Sequence, residues 1–249
     1  MKILAIGNSY SSDATRYLYG IARADGVKIK VVNLYIGGCS LYRHYRNMLS
    51  SEKAYTMELD GISSGFSVSL TEALLSDEWD VVTLQQCSHE SPHAETFEPY
   101  LTRLAAFVRE YAPKAKLYIH QTWAYENECA RLAKAKVETA EEMLRRLTEN
   151  YLSAAERIDA YDIIPSGDAM YRYHMEVRPM GLSVYRDTYH ADYGVGRYLL
   201  GCVWYTVLCG KSAIGNTFRD FDVEVSEEEV LRAQRTAMLA ISEFGAFSV

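Results

Sequence analysis

The sequence predicts an α/β protein, with a parallel sheet of about five strands between two layers of helices. Two observations carry this prediction. Short segments rich in Val, Ile, Leu and Tyr alternate with longer segments of helical character, which is the order expected for a parallel sheet buried on both faces. No linker rich in Pro, Gly or Ser and no internal repeat divides the chain, so we expect one domain over residues 1–249.

The strand candidates are short apolar segments of the kind found in buried parallel strands. Four have this composition clearly and the fifth has it weakly; in order they are residues 2–6, 28–35, 80–85, 116–120 and 158–162. Residues 54–69 break the alternation. Apolar side chains occupy every second position at Tyr55, Met57 and Leu59, and glycines follow, so we expect a small hairpin beside the sheet.

The helix candidates are residues 13–24, 41–50, 70–75, 96–111, 127–155, 168–176, 193–208 and 226–244. Several of their ends carry capping residues. Ser12 and Asp13 are candidate caps for the first helix, and Gly26 follows it where a C-terminal glycine is favoured. Ser226 and Glu229 have the spacing of a capping box at the start of the last helix.

Charge and composition restrict the partners. The chain carries a formal net charge of -7, and its isoelectric point is near 5.4. Nucleic-acid binding requires a basic surface, so we expect no nucleic-acid partner. The longest apolar run, residues 198–209, is shorter than the roughly 20 residues of a membrane span, so we expect no membrane partner either.

Cysteine usage and the first residues favour the cytoplasm. The 5 cysteines are odd in number and include no C-x-x-C pair, as expected for reduced thiols rather than for disulfides or a zinc site. Lys2 is followed directly by the first predicted strand, without an apolar leader or a cleavage site. We therefore expect a cytoplasmic protein, unless a leader has been removed from the chain.

Residues that can carry chemistry follow the predicted strands. In an open parallel sheet, sites lie outside the carboxyl ends of the strands. The segments that follow the first four strands are Gly7-Asn8-Ser9, Gly37-Gly38-Cys39-Ser40, Gln85-Gln86-Cys87-Ser88-His89 and His120-Gln121-Thr122-Trp123. Asp187 and His190 come late in the chain, just before a predicted helix.

Ser9, His190 and Asp187 form a candidate set for nucleophilic catalysis. A serine hydroxyl attacks an acyl carbon effectively only when a base removes its proton, and an imidazole can do so near neutral pH. Asp187 precedes His190 by three residues, so both side chains can point to one side of a turn, where the carboxylate fixes the imidazole tautomer. A glycine turn and a glutamine amide could supply donors to a tetrahedral intermediate.

These segments resemble the four sequence blocks of the SGNH (GDSL-type) hydrolases, from about residue 2 to residue 211. The resemblance implies a flavodoxin-like three-layer fold in which Ser9 is the nucleophile and Asp187 and His190 are its partners. Gly38, or as second choice Gly37, matches the second-block glycine that donates to the oxyanion together with the Ser9 N–H. Asparagine precedes Ser9 where the family has aspartate, a change that we expect to be tolerated.

The third block departs most from the family pattern. Gln85-Gln86-Cys87-Ser88 replaces Gly-x-Asn-Asp, and it is more similar to the Gln-Gly-Glu-Ser block of carbohydrate acetylesterases in the superfamily. In that block a glutamine binds the oxyanion. By this resemblance Gln85 is the first choice for the oxyanion role and Gln86 is the second.

The resemblance implies an esterase that removes a small acyl group, such as acetyl, from a carbohydrate-like alcohol without a cofactor or a metal ion. Trp123 and the 20 tyrosines would suit stacking on sugar rings. Two alternatives stay open. One is an acyltransferase that uses the same Ser and His, and the other is a non-catalytic carbohydrate-binding or interaction protein that has kept the fold.

Two rival motifs are weaker. Gly61-Ile62-Ser63-Ser64-Gly65 matches the G-x-S-x-G pattern of α/β-hydrolases, but a mixed, charged segment precedes it instead of a buried strand. His89 and His93 have the spacing of a metal pair on a helix, but Pro92 lies between them and no third ligand is evident. The sequence therefore favours Ser9 over Ser63 and predicts no metal site.

Overall fold

The computed structural model describes residues 1–244, and seven strands in this part of the chain form a single sheet. The last five residues of the expected domain, 245–249, lie outside the described residues. The strands are β1 (Lys2–Gly7), β2 (Lys30–Tyr35), β3 (Tyr55–Leu59), β4 (Ile62–Val68), β5 (Val81–Leu84), β6 (Lys116–His120) and β7 (Asp162–Ile164). Their order across the sheet is β4-β3-β2-β1-β5-β6-β7.

Five neighbouring strands, β2-β1-β5-β6-β7, are parallel and correspond to the five predicted ones. β3 and β4 extend the sheet beyond β2 as an antiparallel hairpin, so the predicted hairpin is present and belongs to the sheet itself. The α/β fold class predicted from the sequence is confirmed. The fifth parallel strand begins later than predicted, because the preceding helix runs to Arg157 and a turn with a φ of 48° at Asp159 follows it.

Nine α-helices connect or cover the strands within residues 1–244. They are α1 (Ser9–Thr15), α2 (Leu18–Ala24), α3 (Leu41–Ser50), α4 (Leu70–Leu75), α5 (Tyr100–Tyr111), α6 (Ala140–Arg157), α7 (Ser166–Val177), α8 (Val195–Cys209) and α9 (Glu227–Ser242). Helices α3, α4 and α5 pack against one another, and α1, α2, α7, α8 and α9 form a second packed group. No helix in the described part of the chain is both long and apolar enough to span a membrane.

Several helices begin at other residues than the sequence predicted, and caps explain two of these differences. The first begins at Ser9, because Asn8 caps it in place of Ser12 or Asp13: the Asn8 side chain accepts the N–H of Tyr10. The helix predicted from residue 127 begins only at Ala140, after a loop that contains one 3-10 turn, and Thr139 caps it. The capping box predicted at the start of α9 is confirmed.

β1 is the position at which the chain changes direction across the sheet. The chain passes from β1 to β2 on one side and later returns to β5 on the other side of β1. In open α/β sheets, ligands bind in the crevice outside the carboxyl ends of the strands at such a switch point. The segment that begins with Asn8 and Ser9 therefore occupies the preferred place for a site.

Candidate active site

Ser9 follows β1 almost directly and is the first residue of α1. Asn8, which is buried, shapes this junction. Its side chain accepts the Tyr10 N–H at 3.0 Å and donates to the carbonyl oxygen of Cys39 at 3.1 Å. Asparagine is a preferred N-cap and, unlike an aspartate, it can also donate. The amide thus holds the start of α1 against the loop that follows β2.

Gly7 is required by close packing rather than by its backbone angles. A Cβ at this position would lie 2.4 Å from Ser11 Oγ and 2.7 Å from Gln85 Oε1. Gly7 is the last residue of β1, and its φ is not positive. The glycine turn suggested by the sequence is therefore a strand end, at which the missing side chain leaves room for Gln85.

A tight loop places Asp187 next to His190. Asp187 Oδ1 accepts the backbone N–H of His190 at 2.7 Å, and Thr188 between them has a φ of 69°. Tyr185 and Ala191 form an isolated antiparallel bridge at the base of the loop. The three-residue spacing thus becomes a turn in which the Asp187 and His190 side chains lie on the same side.

Ser9, His190 and Asp187 are joined by two hydrogen bonds. His190 Nδ1 lies 2.7 Å from Asp187 Oδ2, and His190 Nε2 lies 2.9 Å from Ser9 Oγ. An ionised carboxylate can only accept, so Nδ1–H donates to Asp187 and Nε2 accepts the hydroxyl proton of Ser9. A histidine that acts as a general base toward a serine has this tautomer.

Asp187 is held in its charged form. Burial acts to raise its pKa, but hydrogen bonds from the His190 ring and from the backbone N–H groups of His190 and Tyr189 outweigh that effect, and the pKa lies below its ordinary value. A carboxylate that is charged at neutral pH can stabilise an imidazolium beside it. The loop therefore holds a negative charge beside the His190 ring.

Two stacked rings support this loop from the protein side. The rings of Tyr10 and Trp123 are parallel, with centroids 3.8 Å apart. The Tyr10 hydroxyl and Trp123 Nε1 both donate to the carbonyl oxygen of Tyr189, at 2.7 Å and 2.8 Å. Trp123 is 0% exposed, so its burial rules out the sugar-stacking role considered from the sequence. The pair instead fixes the backbone next to His190.

A buried ion pair joins α1 to the same loop. Arg186 Nη1 contacts both carboxylate oxygens of Asp13, at 3.0 Å and 2.9 Å, and Arg197 Nε adds a contact at 2.9 Å. The Asp13 side chain is only 1% exposed. Because Asp13 lies on the helix that begins with Ser9, and Arg186 precedes the loop that ends with His190, this pair sets their relative position.

Ser9 and His190 face a cavity of about 490 Å³. Gly37 and Gly38, from the loop after β2, line it as well. Gly38 has a φ of 61°, in the left-handed region that favours glycine. The structure thus brings Gly38, the first-choice glycine of the sequence analysis, to the cavity that Ser9 and His190 line.

Gln85 lies behind Asn8 and does not line this cavity. Its Nε2 donates to Asn8 Oδ1 at 2.9 Å, and its Oε1 accepts a hydrogen bond from His120 Nδ1 at 2.8 Å. Burial lowers the pKa of His120 to about 3. That imidazole is therefore neutral, and its Nε2 accepts the Ser166 hydroxyl at 3.0 Å. Gln85 reaches the site through Asn8.

Gln86 uses its amide elsewhere. Its Oε1 accepts the N–H groups of Leu41 and Cys87, both at 2.9 Å. Its Nε2 donates to the carbonyl oxygen and to the hydroxyl of Thr96, at 3.0 Å and 3.1 Å. These four contacts occupy both donors and both acceptor sites of the amide. The structure does not bring Gln86 to the cavity; its side chain ties the loop after β5 to the start of α3.

The rival serine, Ser63, lies in β4, the edge strand of the sheet, opposite Glu58 of β3. The next helix, α4, begins only at Leu70. Ser63 therefore lacks the strand-turn-helix context of a nucleophile elbow.

Cys87, His89 and Glu90 are the one group of potential metal ligands found among residues 1–244, with ligand atoms within 4.8 Å of one another. Burial raises the pKa of the Cys87 thiol well above its ordinary value. A cysteine must lose its proton to bind a metal ion. The donor set therefore does not favour a metal ion.

Sequence reasoning missed the residues that hold the site together and those that give its cavity charge. Arg186 stands directly before Asp187, and this adjacency was the available signal. Asp13 gave no such signal, because its partner is 173 residues away in sequence. Arg131 and Lys134, which line the cavity, lie in a segment that the sequence assigned to a helix.

Comparison with known proteins assigns the family. Residues 2–238 match the family described as Domain of unknown function (DUF4886). The chain belongs to this family. A solved DUF4886 family protein from Bacteroides uniformis is similar along nearly its whole length, with 30% identity, a TM-score of 0.90, and coverage of 97% of this chain and 95% of that one. No curated protein matches the sequence.

More distant solved structures share the fold of this DUF4886 member. A protein described as a GDSL-like lipase from Parabacteroides merdae has 15% identity and a TM-score of 0.56, over 84% of this chain and 96% of that one. The psychrotrophic esterase EstA from Pseudoalteromonas sp. has 15% identity and a TM-score of 0.52, over 84% of this chain and 97% of that one. The likeness shows the fold, and it agrees with the SGNH-type architecture that the sequence resemblance implied.

Proposed function

We propose that this protein is a serine esterase that hydrolyses a small acyl ester, with Ser9 as nucleophile, His190 as base and Asp187 as the group that orients the base. The observation that supports this most strongly is the hydrogen-bonded chain from Ser9 Oγ through the imidazole to Asp187 Oδ2, with distances of 2.9 Å and 2.7 Å. The cavity that Ser9 and His190 line provides space for an ester.

In the first half of the proposed reaction, Ser9 Oγ attacks the ester carbonyl while His190 Nε2 takes the hydroxyl proton. The imidazolium that forms is stabilised by Asp187, which stays ionised. Collapse of the tetrahedral intermediate breaks the bond to the alcohol oxygen. His190 returns its proton to that oxygen, and the acyl group stays on Ser9.

In the second half, water attacks the acyl-enzyme. His190 removes one proton from the water, and the second tetrahedral intermediate releases the carboxylic acid and restores the Ser9 hydroxyl. The reaction needs no cofactor, since all four proton transfers, including the return of a proton to Ser9 Oγ, use the same imidazole nitrogen. An acyltransferase would differ in this step alone, with an alcohol in place of water.

The backbone N–H groups of Ser9 and Gly38 are the proposed donors to the oxyanion. Both residues line the cavity, and a single donor of this kind contributes about 3–4 kcal/mol to transition-state stabilisation. In this proposal Gln85 holds Asn8, and through it the start of α1, in place. A carbohydrate-like alcohol would lie against the ring of Tyr35, which also lines the cavity.

Ser9→Ala tests the proposal against a matched serine variant, Ser63→Ala. With phenyl acetate or another short-chain aryl ester, we expect kcat to fall by on the order of 10⁴-fold or more in Ser9→Ala, because no other group can form the acyl-enzyme. Ser63→Ala should keep the activity of the unmodified protein. Equal activity in Ser9→Ala would contradict the proposal.

A serine-directed phosphonate provides a second readout that does not depend on the choice of ester. We expect mass spectrometry of the digested protein to find the adduct on the peptide that contains Ser9. An adduct on Ser63 would favour the rival motif. Tight binding of a sugar without labelling or ester turnover would favour a non-catalytic binding protein.

A further inference from the structure

The cavity beside Ser9 is lined by positive charge. Arg131, Lys134 and Arg186 are among its lining residues, and no aspartate or glutamate is. The chain as a whole has a net charge of -7. A cationic cavity in an acidic protein is a local feature rather than a consequence of composition.

The three cations differ in how they are paired. Arg186 is neutralised by the buried carboxylate of Asp13. Arg131 and Lys134 lie on the loop that precedes α6, and no carboxylate of the described residues forms an ion pair with either of them. The Arg131 guanidinium instead lies over the ring of Tyr189, 4.0 Å from the ring centroid. This contact orients the guanidinium at the cavity wall and leaves its N–H groups available.

The field of these two cations reaches the wall that the loop after β5 forms. Burial lowers the pKa of His89, which lines the cavity, and the charges of Lys134 and Arg131 lower it further. Glu90 is the nearby carboxylate, and it lies 3.8 Å from His89 outside the cavity lining. Burial raises the pKa of Glu90, whereas Lys134 acts in the opposite direction. Lys134 and Arg131 line the same cavity as His89.

We propose that Arg131 and Lys134 form a subsite for a fixed negative charge, so that the preferred substrates are esters that carry a carboxylate or a comparable acid group in addition to the ester. The proposal rests on the esterase function proposed above. A guanidinium and an ammonium are the usual partners of a carboxylate, the first through its planar fork and the second as a point charge. A neutral ester would leave both cations facing an uncharged group.

Matched esters test this subsite on both sides of the scissile bond. For a charge on the alcohol, the pair is phenyl acetate and 3-acetoxybenzoate; for a charge on the acyl group, it is phenyl hexanoate and the monophenyl ester of adipic acid. Each kcat/KM is divided by the rate constant for hydroxide-catalysed hydrolysis of the same ester. In at least one pair of esters we expect the anionic ester to be preferred by about tenfold. An exposed charge pair contributes about two- to fivefold, and the factors of two such pairs multiply because their free energies add.

Lys134→Gln and Arg131→Gln locate the origin of that preference. Each variant should reduce it by about two- to fivefold, and the double variant should abolish it. The preference is a ratio of two kcat/KM values, so a loss of activity that affects both esters equally does not change it. Lys114→Gln is the matched control, because Lys114 is 78% exposed and precedes β6, at the end of the sheet opposite to the cavity. In the unmodified protein, 0.5 M NaCl should weaken the preference, because salt screens exposed charges.

The outcomes separate this proposal from the esterase proposal. If no ester is hydrolysed in a Ser9-dependent manner, the esterase function itself fails. If the neutral esters are hydrolysed in a Ser9-dependent manner and neither anionic ester is preferred, the esterase stands and the anionic subsite is overturned. A preference that survives in the Arg131→Gln, Lys134→Gln double variant also overturns the assignment to these two residues.

Discussion

In the candidate site, the position of Ser9 depends on a few buried side chains, each of which uses nearly all of its hydrogen-bonding groups. Asn8 accepts from Tyr10 and Gln85 and donates to Cys39, so one buried amide joins three segments of the chain. Gln85 in turn accepts from His120. The position of Ser9 therefore rests on a chain of buried amides, of which Asn8 lines the cavity and Gln85 does not.

Gln85→Met distinguishes a positioning role of Gln85 from a direct role at the oxyanion. Methionine keeps the volume but removes the donor to Asn8 and leaves the buried His120 N–H without an acceptor. We expect a loss of about 1–3 kcal/mol in the free energy of unfolding. We expect kcat for phenyl acetate to fall by less than the about 10²–10³-fold that removal of an oxyanion donor causes.

The control for this prediction is Gln86→Met, which removes an equally buried amide that bonds to Leu41, Cys87 and Thr96. Urea denaturation measures stability, and initial rates at saturating ester measure kcat. Similar, small effects on kcat in both variants would agree with positioning. A fall of 10²-fold or more in Gln85→Met alone would instead assign the oxyanion role to Gln85, as the sequence resemblance suggests.

Among the structural elements, α1 and the loop with His190 come from opposite ends of the chain and must be held together by non-covalent contacts. Asp13 on α1 contacts Arg186 before the loop and Arg197 on α8. Burial raises the pKa of Asp13, and the two guanidinium groups act in the opposite direction. The ion pair therefore links three elements through one buried carboxylate.

Asp13→Ala should destabilise the protein and lower its activity together. It leaves two guanidinium groups without their buried partner, and removal of one partner from a buried ion pair costs about 3–5 kcal/mol. It also removes one of the contacts between the loop and α1, so we expect kcat to fall because the distance between Ser9 Oγ and His190 Nε2 is less firmly fixed. Thermal unfolding and the aryl ester assay measure the two effects.

Asp220→Ala is the matched control for that variant, because it removes the same charge from an exposed position. We expect the free energy of unfolding of this control to change by no more than about 0.5 kcal/mol. If Asp13→Ala lowers the free energy of unfolding by no more than this control, the ion pair does not hold α1 and the loop of His190 together.

For the molecule as a whole, two buried histidines link folding to pH. His44 and His120 are both 0% exposed, and burial lowers the pKa of each to about 3. In the unfolded chain a histidine has a pKa of about 6.5. Between these values the unfolded state binds more protons than the folded state, so the stability that these histidines contribute is complete above about pH 6.5 and decreases as the pH falls toward 3.

We expect the free energy of unfolding to fall as the pH decreases below 6.5, with a slope for each of these histidines that approaches about 1.4 kcal/mol per pH unit near pH 5. Urea denaturation at pH 7, 6 and 5 measures the slope. In His120→Gln the slope should be smaller by the contribution of one histidine, and this difference separates the imidazole from carboxylates that titrate in the same experiment. An unchanged slope would show that His120 is not neutral in the folded protein.

The parallel strands and the loop of Asp187 and His190 were predictable, because both depend on residues close together in sequence. The apolar composition of residues 116–120 favours a buried strand whichever strands lie beside it. Asp187 and His190 are three residues apart, so the hydrogen bond between them closes a local turn. The start of α1 was predicted too late, since Asn8 competes with Ser12 and Asp13 as a cap, and its contacts with Cys39 and Gln85 add to its local capping contacts.

The sequence by itself determined the order of strands and helices and the residue types available for acyl transfer, because local composition and spacing decide both. Only the tertiary structure decided that the Ser9 hydroxyl meets His190, 181 residues away, that the amides of Gln85 and Gln86 are engaged inside the protein, and that Arg131 and Lys134 face the cavity. These contacts join loops from distant parts of the chain, so their geometry depends on packing across the whole sheet.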